Sequence, residues 1–349
     1  MKPTFIFLLL VFSFASCQLL QESEPILPKA TGKVGGILIV ADKPLWQQEI
    51  VTSIKEVLSK PAEGIAQKET LFKLSTAPSS IYFKSLKTYR TILIPIILDY
   101  PYNYFTPFTT GLSKDVIEKV EANGTILQKA VNKYAKEQTI VYLIAKNEKS
   151  LCTYVKENAK SLRYYFHQRE INTLIGQLER EKTNKEAMKR IEEKFSYHMH
   201  IPSTFQMALD TTDFVWLRQA EANKDLNIII AEVKPEEISF VNESIFGYRN
   251  QLCKRYIYGN KERENSYMTT ESIIMPYFED SKLNDAYAKE CRGLWKLKNL
   301  SMGGTFISYT LKNKDKKYFY IEAFLHNPAQ KKVPELRNLE AILRTFKPM

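Results

Sequence analysis

Beyond residue 16 the chain has no uninterrupted apolar run of even ten residues, so the mature protein lacks the roughly 20-residue apolar segment of a spanning helix. Glycine and proline are scarce, 12 and 15 of 349 residues, which rules out collagen-like and low-complexity chains. Only 4 cysteines and 4 histidines are present. No two cysteines form a CxxC pair, so neither a zinc knuckle nor thioredoxin-like chemistry is indicated. There is no GxSxG elbow, no HExxH, no GxGxxG and no phosphate-cradling loop. Gly35-Gly36 precedes an apolar run, whereas phosphate-binding glycines follow one. No reaction is legible, and neither a cofactor nor a metal is expected.

What is present begins with an address. Lys2 precedes Phe5 to Phe14, an apolar stretch broken only by Ser13, then Ala15, Ser16 and Cys17. As a helix that stretch covers about 15 Å, half a bilayer core, and so reads as the apolar region of a signal peptide rather than as an anchor. Phe14-Ala15-Ser16-Cys17 resembles the lipobox of bacterial lipoproteins. The resemblance implies cleavage after residue 16 and lipid on Cys17, and residues 17–32 then form a polar, proline-containing tether. Glu22 and Glu24 are similar to acidic surface-export signals, too faintly to choose between periplasm and cell surface.

Lys and Arg number 50 against 39 Asp and Glu, a surplus of eleven that falls to ten without residues 1–16. Nine of the basic residues, against four acids, lie between Leu311 and Met349. A basic face suits anionic lipid, lipopolysaccharide or nucleic acid; a solvated lysine-rich surface is the plainer reading, and export argues against nucleic acid as a partner. With Cys17 lipidated, Cys152, Cys253 and Cys291 remain, an odd number in an exported chain. Cys253 and Cys291 would pair only if their elements are neighbours; three buried thiols is the plainer reading.

Along the chain, Gly36–Asp42 is a continuous apolar run of the kind found in buried parallel strands. Trp46, Ile50, Ile54 and Val57 follow at helical spacing. Leu71–Leu74, Thr91–Leu98 and Thr139–Ala145 read as further strands, with Pro95 consigning the second to an edge or a bulge. Ile126–Lys136 is ambiguous, helical by composition. Leu151 to Leu178 carries long apolar helical stripes. A capping box, Thr183 to Glu186, opens a new helix with Met188, Ile191 and Phe195 inward. From there short strands follow one another before a closing helix with Val333, Leu336, Leu339, Ile342 and Leu343. The predicted fold is an α/β layer over residues 33–182 followed by an α+β sandwich over residues 183–349. Residues 184–349 alone are expected to fold as a cooperative unit.

Gly36–Asp42 with Trp46, Arg90–Ile94, Tyr134–Gln138, Ile201-Pro202, Phe214–Arg218, Arg292–Trp295 and Met302–Gly304 with Phe306 and Ser308 form a distinctive set. Together these stretches resemble an uncharacterised family of Bacteroidetes lipoproteins known only as a domain of unknown function. The resemblance implies location and architecture, makes part of Ile126–Lys136 extended, and brings no reaction. Residues 184–349 more loosely resemble the PsbP-like α/β/α sandwich, a fold mostly used by extrinsic binding and assembly factors.

Candidate site residues fall into four groups. Tyr100, Tyr102 and Tyr104 crowd a loop with two further aromatics, either a platform for sugar rings or acyl chains or a packing surface. Trp216, Arg218, Arg292 and Trp295 belong to strands of one sheet and would suit anionic or partner recognition if they gather; as core residues they would not. Asp42 stands just past the first strand, where open α/β sheets bind ligands, and is equally placed to cap the helix around Trp46. His198 and His200 share a strand face without a third ligand at convincing spacing, which favours a solvated face over a metal. The reading that results is a cell-envelope lipoprotein, outer-membrane anchored and facing the periplasm. Its role is that of a non-catalytic binding or assembly factor for a protein, glycan or lipid partner. The alternative is a periplasmic hydrolase using carboxylates such as Asp42, Asp99 or Asp213.

Overall fold

The computed structural model describes residues 26–66, 68–259, 265–328 and 330–349. The expected signal peptide, Cys17 and the first part of the tether lie outside the described residues. Residues 28–31, read above as the end of that tether, are bonded into the body: Lys136 donates to the Pro28 carbonyl (2.7 Å) and Arg90 to that of Thr31 (2.8 Å).

The N-terminal half is built on β1 (Gly36–Val40), β2 (Lys73–Ala77), β3 (Thr91–Ile97), β4 (Thr125–Val131) and β5 (Thr139–Ala145), in the order β2-β1-β3-β5-β4. All pairs are parallel except β4 with β5. Every residue of β1 and β3 is buried, as continuous apolar strings must be when both faces are covered. Four helices of ten residues or more accompany them among the described residues: α1 (Glu49–Leu58), α2 (Lys114–Asn123), α3 (Glu148–Glu157) and α4 (Ala159–Leu178).

One expectation needs correction here, and one ambiguity is resolved as the family resemblance implied. The strand containing Pro95 is central rather than at an edge. Its ladder with β1 ends at Leu93, so the N–H missing at Pro95 lies beyond that pairing and the strand keeps β5 along its whole length. The ambiguous stretch after Gly124 is extended: Thr125–Val131 pairs residue for residue with β5, and pairing overrides its helical composition.

In the C-terminal half α5 (Lys185–Phe195) leads to β6 (Tyr197–His198), β7 (Gln206–Asp210), β8 (Phe214–Glu221) and β9 (Lys224–Val233). Next come α6 (Asn242–Tyr256), β10 (Met268–Thr270), β11 (Tyr277–Leu283), β12 (Ala286–Leu297), β13 (Gly303–Lys312) and β14 (Tyr318–His326). The chain closes with α7 (Val333–Leu343) and β15 (Lys347–Pro348). The helix at the start of this half is capped one residue later than expected: the Asn184 side chain, not that of Thr183, accepts from the Ala187 amide. The antiparallel order is β10-β12-β13-β14-β9-β8-β7, with β11 also on β12. One face of this sheet packs on α5 and α7 through Ile191, Phe195, Leu336 and Leu343; the other packs on α6 through Ile245 and Leu252. The result is three layers, helix, sheet, helix, and the predicted class of an α/β layer followed by an α+β sandwich holds. Cys152, Cys253 and Cys291 are separate buried thiols, and burial, working against the pull of Arg249, pushes Cys253 up to about 12.

The two halves share elements. Leu162 and Phe166 of α4 belong to the first core, whereas Ile171 and Leu178, further along the same helix, belong to the second. The segment between α1 and β2 reaches across. Gly64 lies at φ +71° with Arg292 and Gly293 so close that a Cβ would stand 2.6 Å from Arg292, and its carbonyl accepts from Thr305 Oγ1 at 2.8 Å. Glu69 accepts from the backbone amides of Lys332 (2.9 Å) and Val333 (3.1 Å), capping α7 from the other half.

A cut at residue 183 therefore strips Ile171 and Leu178 from the second core, at about 1.5–3 kcal/mol for each buried side chain. Fragment 159–349 is expected to unfold at higher urea than fragment 184–349. Equal midpoints would mean that α4 contributes nothing to the second core.

Candidate functional site

Between the halves lies a cleft of about 470 Å³. One wall is the side of α4 carrying Lys160, Arg163, Tyr164, His167 and Gln168, which recur at three- and four-residue spacing and so lie along one side of the helix. The opposite wall is β11, with Tyr277 and Glu279, and the floor comes from Glu290, Arg292 and Arg344. Lys160 and Glu279 form an ion pair from wall to wall (2.7 Å).

Beneath the floor sits Glu340, a fully buried carboxylate on α7. It is completely surrounded. Arg292 Nη2 donates to Oε2 at 2.8 Å, Arg344 Nε to Oε1 at 3.0 Å, and the Tyr309 hydroxyl to Oε1 at 3.3 Å. His167 Nε2 lies 3.0 and 2.9 Å from the two oxygens. Burial alone would keep this carboxyl protonated, but Arg292, His167 and Arg344 outweigh it and hold it well below the usual carboxylate range. Arg292 also donates to Glu290 at 2.6 Å, and burial is likewise overcome at Arg292, which is held firmly cationic by Glu290 and Glu340. Close by, Glu170 accepts from the Gly35 amide (2.6 Å) and Thr91 Oγ1 (2.7 Å), and Arg337 donates to the Leu71 carbonyl.

Since carboxylate oxygens only accept, His167 Nε2 donates to Glu340. His167 Nδ1 is buried and has no partner in the protein, and the same is true of Arg163 Nε and Gln168 Nε2.

Of the residues expected from sequence, the three tyrosines come together. Ring centroids of Tyr100 and Tyr102 are 6.1 Å apart, of Tyr100 and Tyr104 6.0 Å, and of Tyr102 and Tyr104 5.6 Å. Tyr102 is the most exposed of them, and the Tyr100 hydroxyl donates to Gln48 at 2.7 Å. Trp216, Arg218, Arg292 and Trp295 share one sheet but do not gather. Three strands separate β8 from β12, about 19 Å between the two at a strand spacing near 4.8 Å. Trp216 donates to Asn227 (2.9 Å), and Arg218 makes a two-pronged pair with Asp225 at the surface. Trp295 is buried against the α6 side and donates to the Leu325 carbonyl at 3.2 Å, a contact made over Gly304, where a Cβ would stand 2.9 Å from the indole nitrogen. Arg292, three residues away on β12, faces the other side, toward Glu340.

Asp42 does not cap the helix that follows it; its carboxylate accepts from the Ser79 amide (2.8 Å) and hydroxyl (2.9 Å). Asp99 is exposed beyond β3. His198 Nδ1 lies 2.7 Å from Glu192, and among the described residues no three His, Cys, Asp or Glu side chains gather as a metal site. Sequence reasoning missed Glu340 and His167. Glu340 stands four residues after Leu336 and three before Leu343, a core-facing position, and that misplaced charge was its legible signal.

Residues 184–345 match a family model described as a domain of unknown function, DUF4837, and residues 30–179 match a second, also described as a domain of unknown function, DUF8532. No curated protein matches the chain. Among solved structures, the Ran-binding protein Mog1p of Saccharomyces cerevisiae is similar at 8% identity and a TM-score of 0.31, over 44% of this chain and 90% of that one. A point mutant of Mog1 is similar at 8% and 0.30 over the same shares. A protein from Bacteroides thetaiotaomicron VPI-5482 is similar at 9% and 0.24, over 44% of this chain and 45% of that one. At such scores the likenesses carry no functional argument.

Glu340→Gln leaves Arg292 and Arg344 short of a charge and is expected to cost about 3–5 kcal/mol in urea unfolding at pH 7. The folded carboxyl lies below its unfolded value of 4.5, so its contribution is complete above that pH and is lost as pH falls through the folded value. The gap between the native chain and the variant should shrink on acidification below about pH 4. A gap that stays constant down to pH 2 would contradict the network as described.

Proposed function

We propose that this chain is a cell-envelope lipoprotein, tethered through lipid on Cys17 and facing the periplasm from the outer membrane. Its role is that of a non-catalytic binding or assembly factor for a protein, glycan or lipid partner, with the cleft as its binding site. The address rests on residues 5–17, on their resemblance to a lipobox, and on the likeness of the rest of the chain to Bacteroidetes lipoproteins. Among the described residues no helix is long and apolar enough to cross a membrane, so the lipid is the attachment on offer. Cys17→Ser should move the protein from the membrane fraction to the soluble one and slow removal of the signal peptide. Unchanged membrane partition would refute the anchor.

The observation that carries the binding reading is the state of the acids at the cleft floor. Glu290 and Glu340 are bound to Arg292 and Arg344. Glu340, held well below the usual carboxylate range, is a poor general base and a poor general acid, because both roles require it to exchange protons near neutral pH. What remains is a cavity within the range of about 300–1,000 Å³ typical of ligand sites, walled by polar groups from two halves. The full chain extracted from its native membrane in mild detergent should carry a stoichiometric adduct in native mass spectrometry, lost on Tyr164→Ala. An empty chain that instead turns over a periplasmic substrate, with turnover abolished by Asp42→Asn or Asp99→Asn, would replace this reading with hydrolysis.

A further inference from the structure

We infer that the cleft is a carbohydrate site, taking one or two sugar rings; this rests on the cleft being the binding site proposed above. Charge is the first argument. Six cationic and five acidic side chains line the cavity, and Lys156, Lys160, Arg292 and Arg344 are already ion-paired. A free oxyanion would find little net field there. An acyl chain would strip water from nearly every wall group without replacing its hydrogen bonds.

The second argument is the pattern of unmet hydrogen bonds. Arg163 Nε and Gln168 Nε2 are buried donors without partners, and His167 Nδ1 is a third buried nitrogen without one. Groups of this kind cost about 1–3 kcal/mol each when nothing satisfies them. A hydroxyl donates and accepts at once, so a polyhydroxylated ligand meets these donors and the lining carboxylates of Glu63 and Glu157 alike, whereas a carboxylate or phosphate meets only the donors.

The third argument is shape. Tyr164 projects from α4, 52% exposed, with half-buried Tyr277 on the facing strand. A flat ring with an apolar face and a polar edge suits the C–H face of a pyranose while its hydroxyls reach the wall.

The test is saturation-transfer NMR on the full chain in a sugar-free detergent. The probes are methyl α-glucoside, methyl α-mannoside, N-acetylglucosamine and glucuronate, with acetate and glycylglycine alongside. At least one sugar should receive saturation on its ring protons. The effect should fall at least fivefold in Tyr164→Ala and in Gln168→Met, and should be unchanged in Val241→Ala, an exposed position outside the cleft. Circular dichroism melts would confirm that the variants are folded. A signal from acetate or glycylglycine alone, lost in Tyr164→Ala, would overturn the carbohydrate assignment and leave the cleft as a site for another ligand. A sugar signal insensitive to both cleft variants would overturn the location. No signal from any probe, together with an adduct-free mass spectrum, would overturn both the assignment and the binding reading.

Discussion

A carboxylate with no access to water must be met by opposite charge from more than one direction, and in this protein that carboxylate is Glu340. Taking one charged group out of water costs several kcal/mol, which is recovered only when geometry and further hydrogen bonds are good. Glu340 achieves this by recruiting Arg292 from β12, Tyr309 from β13, Arg344 from the end of its own helix and His167 from α4. The last of these comes from a helix that also packs in the N-terminal core. The need to satisfy this buried charge thus helps to fix the position of one half on the other, together with the contacts of Gly64, Glu69 and Arg337.

The same network shapes the cleft. Because Arg292 and Arg344 are each pinned by two acids, they form a floor with fixed side chains. A preformed wall spares a ligand the entropy of ordering it. The close approach at Gly64 and the capping of α7 by Glu69 hold the segment between α1 and β2 at one end of the cavity, so both walls are anchored outside it. On the far side of the C-terminal sheet a second buried pair plays a local part. Arg249 grips Glu322 with two bonds of 2.8 and 2.7 Å and lies 3.7 Å over the Phe306 ring, binding α6 to the sheet beneath it.

Much of the fold was legible because burial writes itself into apolar strings. β1, β3 and β5 announce themselves as runs that no surface strand would carry, and β8, β9, β13 and β14 as alternating or continuous apolar segments. The misses have physical reasons. Pro95 was judged by the N–H it lacks without knowing where the neighbouring ladder stops. β11 went unseen because Tyr277–Leu283 is polar, although Asn284 and Asp285, both at positive φ (47° and 66°), form the tight turn that such a pair of residues favours. The cleft was out of reach for a different reason. Its floor joins residues 167, 292, 340 and 344, and sequence spacing within one helix or strand cannot show which distant charges will meet. Only the oddity of a glutamate on the inner face of α7 pointed that way.

The topology also separates the two surfaces that could serve recognition. The tyrosine cluster follows β3 and sits at the carboxyl edge of the parallel sheet, where open α/β sheets usually bind ligands. The cleft takes in Leu71, which precedes β2, and so opens at the opposite edge, where the second half has docked. Residues 28–31 are bonded beside Thr88 and Lys136, ahead of β3 and β5, and therefore enter at that same amino edge. A seven-residue strand spans about 23 Å, which sets the distance between the two edges. From Cys17 to Pro28 the chain can extend at most about 40 Å. With lipid on Cys17, as proposed, the body stays within that reach of the bilayer, attached at the edge that carries the cleft. The cleft then shares the edge at which the tether enters, and the tyrosines lie one strand length from it at the opposite edge.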